Sequence, residues 1–90
     1  MNFKNIFSKN KPIIVAEIGN NHEGNFNRAI KLIDAAVNSG ADAVKFQTYR
    51  VESYYSIKYT DKKRLKRLKK FQLSFDQFKK LSVYSKKKKI

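Results

Sequence analysis

Three polar side chains stand near the ends of two apolar segments, where a cation could bind an anionic group and an amide could bind a hydroxyl or amide group. Glu17 lies near the end of the first segment, and Lys45 and Gln47 lie near the end of the second. A lysine ammonium binds a carboxylate or phosphate as a point charge, and a glutamine amide both donates and accepts hydrogen bonds. Lys45 and Gln47 are two residues apart, so a strand would place them on one face.

Each of these residues also has a purely structural interpretation, and composition alone does not choose between the two. Lys45 could extend to solvent from a strand end, or form an ion pair with Glu17 inside the fold. Glu17 could instead accept hydrogen bonds from loop amides. His22 is the only histidine. Because a metal site needs several ligands, we expect His22 to be a hydrogen-bonded loop residue rather than a base or ligand.

The segments around these residues predict a β-α-β unit. The continuous apolar run at 13–18 is typical of a strand buried on both faces, as in a parallel sheet, and residues 41–48 predict a second strand. Between them, Asn25 suits an N-cap and Gly40 suits a helix end. An apolar stripe at helical spacing connects the two and comprises Phe26, Ala29, Ile30, Ile33, Ala36 and Val37. Strands joined by such a helix are parallel, with a right-handed crossover.

The second half of the chain predicts one long loop and two helices. Residues 49–60 have no clear period and are expected to form the loop, and residues 61–70 are expected to form a short, strongly basic helix. Ser74 and Gln77 match the capping-box pattern, so a further helix is expected to begin there and to run to about Tyr84.

Two parallel strands cannot cover their own faces, and a barrel of eight strand-helix units takes roughly 250 residues. This chain of 90 residues holds about two such units. The expected fold class is therefore α/β, as an incomplete N-terminal portion of a (β/α)8 TIM barrel with β-α-β plus one or two helices. We expect residues 1–11 to be a flexible lead-in and residues 12–90 to be the partial barrel domain.

Composition restricts the class of protein further. The absence of cysteine excludes disulfides and thiolate chemistry. No apolar run approaches the roughly 18 residues that a membrane span needs. The first residues lack the apolar core of a secretion signal, so we expect a cytoplasmic protein without a membrane partner.

The charge raises an alternative function. Lys and Arg number 21 against 7 Asp and Glu, which gives a net charge of +14. Residues 46–90 hold most of this excess, and Tyr54, Tyr55 and Tyr59 lie among its cations, as in some nucleic-acid-binding surfaces. Alternatively, the basic residues of this half could form a helix face that is simply exposed to solvent. Because neither half of the chain matches a known nucleic-acid-binding module, we do not expect nucleic acid to be the partner.

Residues 16–24 (AEIGNNHEG) and residues 40–48 (GADAVKFQT) closely resemble the start of the sialic acid synthase family. This family is also called N-acetylneuraminate synthase and includes legionaminic and pseudaminic acid synthases. Both blocks agree with the family in sequence and in spacing, and residues 71–81 resemble its second barrel helix more weakly. The resemblance implies a TIM-barrel transferase of carbohydrate biosynthesis. Such an enzyme condenses phosphoenolpyruvate with an N-acetylated amino sugar, such as N-acetylmannosamine, and releases phosphate.

The resemblance also implies roles for particular residues. Lys45 would contact phosphoenolpyruvate and Gln47 would lie on the sugar side. Glu17 would share the pocket as a sugar-binding or proton-handling group, which makes Glu17 and Lys45 the expected catalytic pair. Asn21 and His22 would line the same pocket.

The complete enzyme is expected to use a divalent metal, manganese or magnesium, and to form a homodimer. No metal ligand is identified in this chain, because the metal-binding histidines of the family lie later in the barrel. The chain is therefore expected to be an incomplete product that is inactive alone.

Overall fold

A computed structural model describes residues 10–49 and 61–90. It contains five elements in chain order: strand β1 (Val15–Gly19), helix α1 (Phe26–Asn38), strand β2 (Ala43–Phe46), helix α2 (Lys62–Phe71) and helix α3 (Phe75–Lys87). The predicted α/β class and the strand-helix-strand order are confirmed. The expected lead-in at 1–11 and the expected loop at 49–60 lie almost wholly outside the described residues. None of the described helices has the length and apolar character needed to cross a membrane.

The two strands pair in parallel, as predicted, and their register is fixed at both ends. At the start, the Asp42 carboxylate accepts a hydrogen bond from the Ile14 amide at 2.9 Å, and the Ile14 carbonyl accepts one from the Asp42 amide at 2.8 Å. Further along, Glu17 pairs with Lys45, and an irregularity then brings Gly19 opposite Phe46. The ends of both strands therefore meet at one edge of the sheet.

Helix α1 forms as the apolar stripe predicts. The Asn25 side chain caps it by accepting from the Arg28 amide at 3.0 Å. Ala29, Ile33 and Ala36 are buried along the face that packs toward the sheet. The helix returns the chain from the end of β1 to the start of β2, which is the crossover that parallel pairing requires.

Helix α2 covers most of the predicted range 61–70, and α3 begins at the predicted capping box. Asp61 caps α2 by accepting from the Lys63 amide at 3.1 Å. Ser74 and Gln77 form the reciprocal capping box, with hydrogen bonds of 3.1 Å and 2.8 Å. Helix α3 reaches Lys87, three residues beyond the expected end at Tyr84.

Helix α3 lies beside α1, and one polar contact links their later turns. The Tyr84 hydroxyl donates a hydrogen bond to the Asp34 carboxylate. This hydrogen bond raises the pKa of the Tyr84 phenol, because the bond needs the phenol proton and an ionised ring would lie beside a carboxylate. Near the start of α3, the centre of the Phe78 ring lies 6.0 Å from that of Phe46 at the end of β2. These two contacts together indicate that the end of α3 lies away from the strand ends that carry Glu17 and Lys45.

The core occupies one face of the sheet, and this corrects one prediction. The buried apolar residues are Ile18, Ala29, Ile33, Ala36, Leu73, Leu81 and Ile90. At the start of the apolar run, Ile14 is 60% exposed and Val15 is 52% exposed. The predicted burial of this run on both faces is therefore wrong for these two residues. The reason is that α1 and α3 cover a single face and that β1 has a single neighbouring strand.

An open apolar groove follows each outer edge of the sheet. One of about 310 Å³ lies between β1 and α1, and its lining includes Ile14, Ala16 and Leu32. The other, of about 420 Å³, lies between β2 and α3, and its lining includes Val44 and Leu81. A strand on each side would fill these grooves, which is the arrangement of a barrel.

We predict that the isolated 90-residue chain does not unfold cooperatively. Its small core and its two open grooves leave too little buried apolar surface to offset an ordering entropy of about 1 to 2 kcal/mol per residue. Circular dichroism during heating should show a gradual loss of helix. A sharp two-state transition in a chain that sedimentation shows to be monomeric would contradict this expectation.

Candidate functional site

Glu17 and Lys45 meet on the face of the sheet opposite the core. The Lys45 ammonium nitrogen lies 3.2 Å from Glu17 Oε2, and the two side chains are 65% and 50% exposed. Their contact follows from the register, because directly paired residues of neighbouring strands project to the same face. The predicted convergence of these two side chains is confirmed.

Gln47 joins this pair around Gly19. A Cβ atom added to Gly19 would lie 3.1 Å from Glu17 Oε1 and 3.7 Å from Gln47 Nε2. Gly19 also has a φ of +54°, which side chains with a Cβ rarely adopt. The glycine therefore gives the carboxylate and the amide room to approach each other, and all three predicted polar groups lie at one end of the sheet.

Asn20 belongs to the same cluster, although the sequence analysis did not select it. Its side-chain nitrogen donates to Gln47 Oε1 at 3.3 Å, and its buried Oδ1 has no hydrogen-bond partner among the described residues. The position of Asn20 in the sequence could have indicated its place in the cluster. Asn20 directly follows β1 and Gln47 directly follows β2. Because the strands are parallel, both residues lie at the edge of the sheet where the strands end.

Asn21 lies beside this cluster rather than within it. Its side chain is exposed. Its backbone N–H donates a hydrogen bond to the Ile18 carbonyl at 2.9 Å, in the turn that follows β1. It lines the groove along the outer edge of β1, together with Glu17. Its expected role in lining a substrate pocket stays a prediction.

His22 is fully buried on the other side of the sheet from Lys45. Its Nδ1 accepts from the Gly24 amide at 3.0 Å, and its ring centre lies 6.1 Å from that of Phe46. Burial lowers the pKa of the imidazole, so the ring is neutral near pH 7 and Nε2 carries its proton. The expected loop hydrogen bond is confirmed. The ring has no exposed surface, and its expected role in lining a substrate pocket stays a prediction.

The described residues do not fit a divalent metal. They contain no group of three or more His, Cys, Asp or Glu side chains that could hold one. His22 points into the core, and the Glu17 carboxylate is engaged with Lys45. We therefore derive no chemical step through a metal.

The polar cluster combines a cation, a carboxylate and two amide side chains within a small area. An exposed ion pair contributes only about 0 to 1 kcal/mol of stability, so an incoming anion can separate Lys45 from Glu17 at little cost. The freed carboxylate would then accept a hydrogen bond or a proton. This arrangement is suited to binding an anion beside a neutral ligand rich in hydroxyl groups.

Comparison with known proteins assigns the chain to a family. The sequence profile of the NeuB family matches residues 32–90, which is more than half of the chain. The chain therefore belongs to the NeuB family.

Individual relatives agree with this assignment. The N,N'-diacetyllegionaminic acid synthase of Campylobacter jejuni is 38% identical over 88 residues, covering 86% of this chain and 26% of that protein. The pseudaminic acid synthase of the same species is 43% identical over 53 residues, covering 59% of this chain and 16% of that protein. The crystal structure of N-acetylneuraminic acid (sialic acid) synthetase from Leptospira borgpetersenii matches 90% of this chain and 28% of that chain, with a TM-score of 0.73 and 35% identity.

The chain thus spans about a quarter of the length of the legionaminic acid synthase and of the sialic acid synthetase that it matches. A composite synthase offers a setting in which to test its residues. In this composite, residues 10–90 of the chain replace the matching segment of the Campylobacter jejuni legionaminic acid synthase.

We predict that Gly19→Ala lowers kcat/KM of the composite synthase by about tenfold or more. The added Cβ would displace the Glu17 carboxylate and crowd Gln47, and small misplacements in a site are costly. Gly40→Ala is the matched control, because Gly40 also has a positive φ of +83° but no atom within 4 Å of its Cβ position. Both variants incur a strain of about 1 to 2 kcal/mol, so both should lower the melting temperature. An equal loss of activity in the two variants would contradict the role given to Gly19.

Proposed function

We propose that this chain supplies the first two strands of the active site of a synthase that condenses phosphoenolpyruvate with an N-acetylated amino sugar. The product would be a nonulosonic acid, and the reaction would serve sialic acid or related carbohydrate biosynthesis. One observation carries the proposal: Glu17, Lys45 and Gln47 converge at the C-terminal ends of two adjacent parallel strands. Barrel enzymes place their catalytic residues at this end of the strands.

Lys45 is the proposed contact to phosphoenolpyruvate. Its ammonium is exposed and its present partner is an exposed carboxylate, so exchange for a carboxylate or phosphate oxygen of the substrate is inexpensive. The Leptospira borgpetersenii synthetase that resembles this chain was crystallised in complex with citrate. An anion held by a synthetase of similar fold is consistent with an anion site in this family.

Glu17 and Gln47 are proposed to act on the sugar. In the reaction, C3 of phosphoenolpyruvate bonds to the aldehyde carbon of the open-chain sugar, whose oxygen gains a proton. Water adds at C2 of the former phosphoenolpyruvate, and phosphate leaves. When Lys45 turns to the anion, Glu17 loses its partner and becomes free to accept a hydroxyl hydrogen bond or to handle that proton. Asn20 orients Gln47 by donating to its side-chain oxygen. The Gln47 amide would form hydrogen bonds with hydroxyl or N-acetyl groups of the sugar.

Three further properties are proposed for the complete enzyme from its family. They are a divalent metal, manganese or magnesium, held by residues outside those described here; a homodimeric assembly; and a cytoplasmic location. None of them rests on the geometry of Glu17, Lys45 and Gln47.

We do not propose the nucleic-acid alternative. It depended on Tyr54, Tyr55 and Tyr59 lying among the cations, and these residues fall outside the described part of the chain. Membership of the NeuB family accounts for the described fold and site without a nucleic-acid partner.

We predict that Lys45→Met in the composite synthase lowers kcat/KM for phosphoenolpyruvate by at least tenfold, about 1.4 kcal/mol of transition-state stabilisation. The methionine keeps much of the side-chain volume and removes the charge. Lys31→Met, on the exposed face of α1, is the control for loss of one positive charge. Steady-state kinetics with phosphate release as the readout would measure both variants.

An unchanged kcat/KM in Lys45→Met, or an equal loss in Lys31→Met, would contradict the proposed role. The isolated 90-residue chain should release no phosphate above the protein-free control when it is given manganese, phosphoenolpyruvate and N-acetylmannosamine, because it supplies only two strands of the pocket.

A further inference from the structure

Helix α2 is the most strongly charged element of the described chain. Within ten residues it carries seven basic side chains and no acidic one. All seven are exposed: Lys62, Lys63, Arg64, Lys66, Arg67, Lys69 and Lys70. No residue of this helix is buried, so its charge faces solvent rather than the core.

The C-terminal half of α2 lies against the loops that leave both strands. The Tyr49 hydroxyl donates to the Leu68 carbonyl at 2.7 Å, and Tyr49 lies two residues beyond Gln47. On the other side, Gly24 packs so closely beneath the last turn that an added Cβ would overlap the Lys70 carbonyl oxygen. Gly24 lies in the loop that follows β1. Two independent contacts therefore place α2 at the end of the sheet where Glu17 and Lys45 meet.

Among the residues that the structure describes, the acidic side chains at this end of the sheet are fewer than the cations of α2. Glu17 is paired with Lys45, and Glu23 is paired with Arg28 at 3.0 Å. Asp61 accepts from the backbone of α2 itself, and Asp76 occupies the first turn of α3. These four described carboxylates are fewer than the seven cations of α2, and such an excess of one sign favours a positive potential at this end of the sheet.

We infer that α2 attracts the anionic substrate electrostatically and thereby raises its local concentration at Lys45; this inference rests on the proposed function. Phosphoenolpyruvate carries a carboxylate and a phosphate monoester, so its charge near pH 7 is about −2.5 to −3. Surfaces of one sign beside a cleft raise association rates by about 10 to 10³. The N-acetylated sugar is neutral and gains nothing from this field. Helix α2 therefore favours one substrate over the other without contacting either.

The test removes charge from α2 and, as a control, from the far end of the chain. In the composite synthase, the α2 variant carries Lys66→Gln, Arg67→Gln and Lys70→Gln. The control variant carries Lys86→Gln, Lys87→Gln and Lys89→Gln. These control residues follow Tyr84. The start of α3 contacts the end of β2 through Phe78 and Phe46, so the residues after Tyr84 lie toward the opposite end of the sheet. Glutamine preserves helix propensity, and each variant loses three charges.

Steady-state kinetics from about 20 to 300 mM salt should separate the two variants, because the Debye length falls below 10 Å across this range. At low salt, kcat/KM for phosphoenolpyruvate should fall by about threefold to tenfold in the α2 variant and remain near the parent value in the control. The difference should shrink toward high salt, while kcat and the KM for the sugar stay unchanged. Calorimetric binding of phosphoenolpyruvate over the same salt series provides a second measurement that does not depend on turnover.

Three outcomes would overturn the inference: no difference between the α2 variant and its parent at low salt, an equal loss in the control variant, or a loss that persists at high salt. The Lys45→Met variant keeps this result separate from the proposed function. Its loss should persist at every salt concentration, because it removes a direct contact. Failure of Lys45→Met contradicts the proposed function, whereas failure of the α2 variant alone contradicts only the attraction by α2.

Discussion

The parallel pairing of β1 with β2 is the constraint on which the site depends. Glu17 lies opposite Lys45 only in the observed register. A slip of one residue would turn Lys45 toward the core face, because side chains alternate along a strand. The Asp42 carboxylate on the Ile14 amide opposes such a slip from the far end of the sheet. A contact well away from the polar cluster therefore determines which side chains can form it.

One face of the sheet packs against the helices, and the other carries the polar cluster. Ile18 and Phe46 project to the face that α1 and α3 cover, and the apolar contacts on that face hold the helices in place. Glu17 and Lys45 project to the other face, where polar side chains stay exposed and bind each other weakly. Since the core does not rely on the ion pair, the pair can open toward a ligand without loosening the fold. Gly19 lies at the boundary, and its lack of a side chain permits the close approach of Glu17 and Gln47.

Local sequence signals predicted the elements well because each signal acts over a few residues. Asn25 caps α1, the Ser74–Gln77 box begins α3, and Lys45 and Gln47 lie at the same end of the sheet. The errors concern contacts made over longer distances. The exposure of Ile14 depends on which neighbouring strands are present. The full burial of His22, which the local sequence did not indicate, comes with a contact to Phe46, 24 positions away in the sequence. Asn20 was missed because an asparagine in a turn usually serves the turn itself. Here its side chain reaches across to Gln47.

In the proposed function, Lys45 exchanges Glu17 for an oxygen of phosphoenolpyruvate. A crystal structure of the composite synthase with bound phosphoenolpyruvate measures this directly. We expect the Lys45 ammonium to lie within about 2.7 to 2.9 Å of a carboxylate or phosphate oxygen of phosphoenolpyruvate, and the Glu17 carboxylate to be separated from Lys45 and turned toward the sugar side. A structure in which phosphoenolpyruvate binds elsewhere, while Lys45 and Glu17 keep their separation of 3.2 Å, would show that this exchange does not occur.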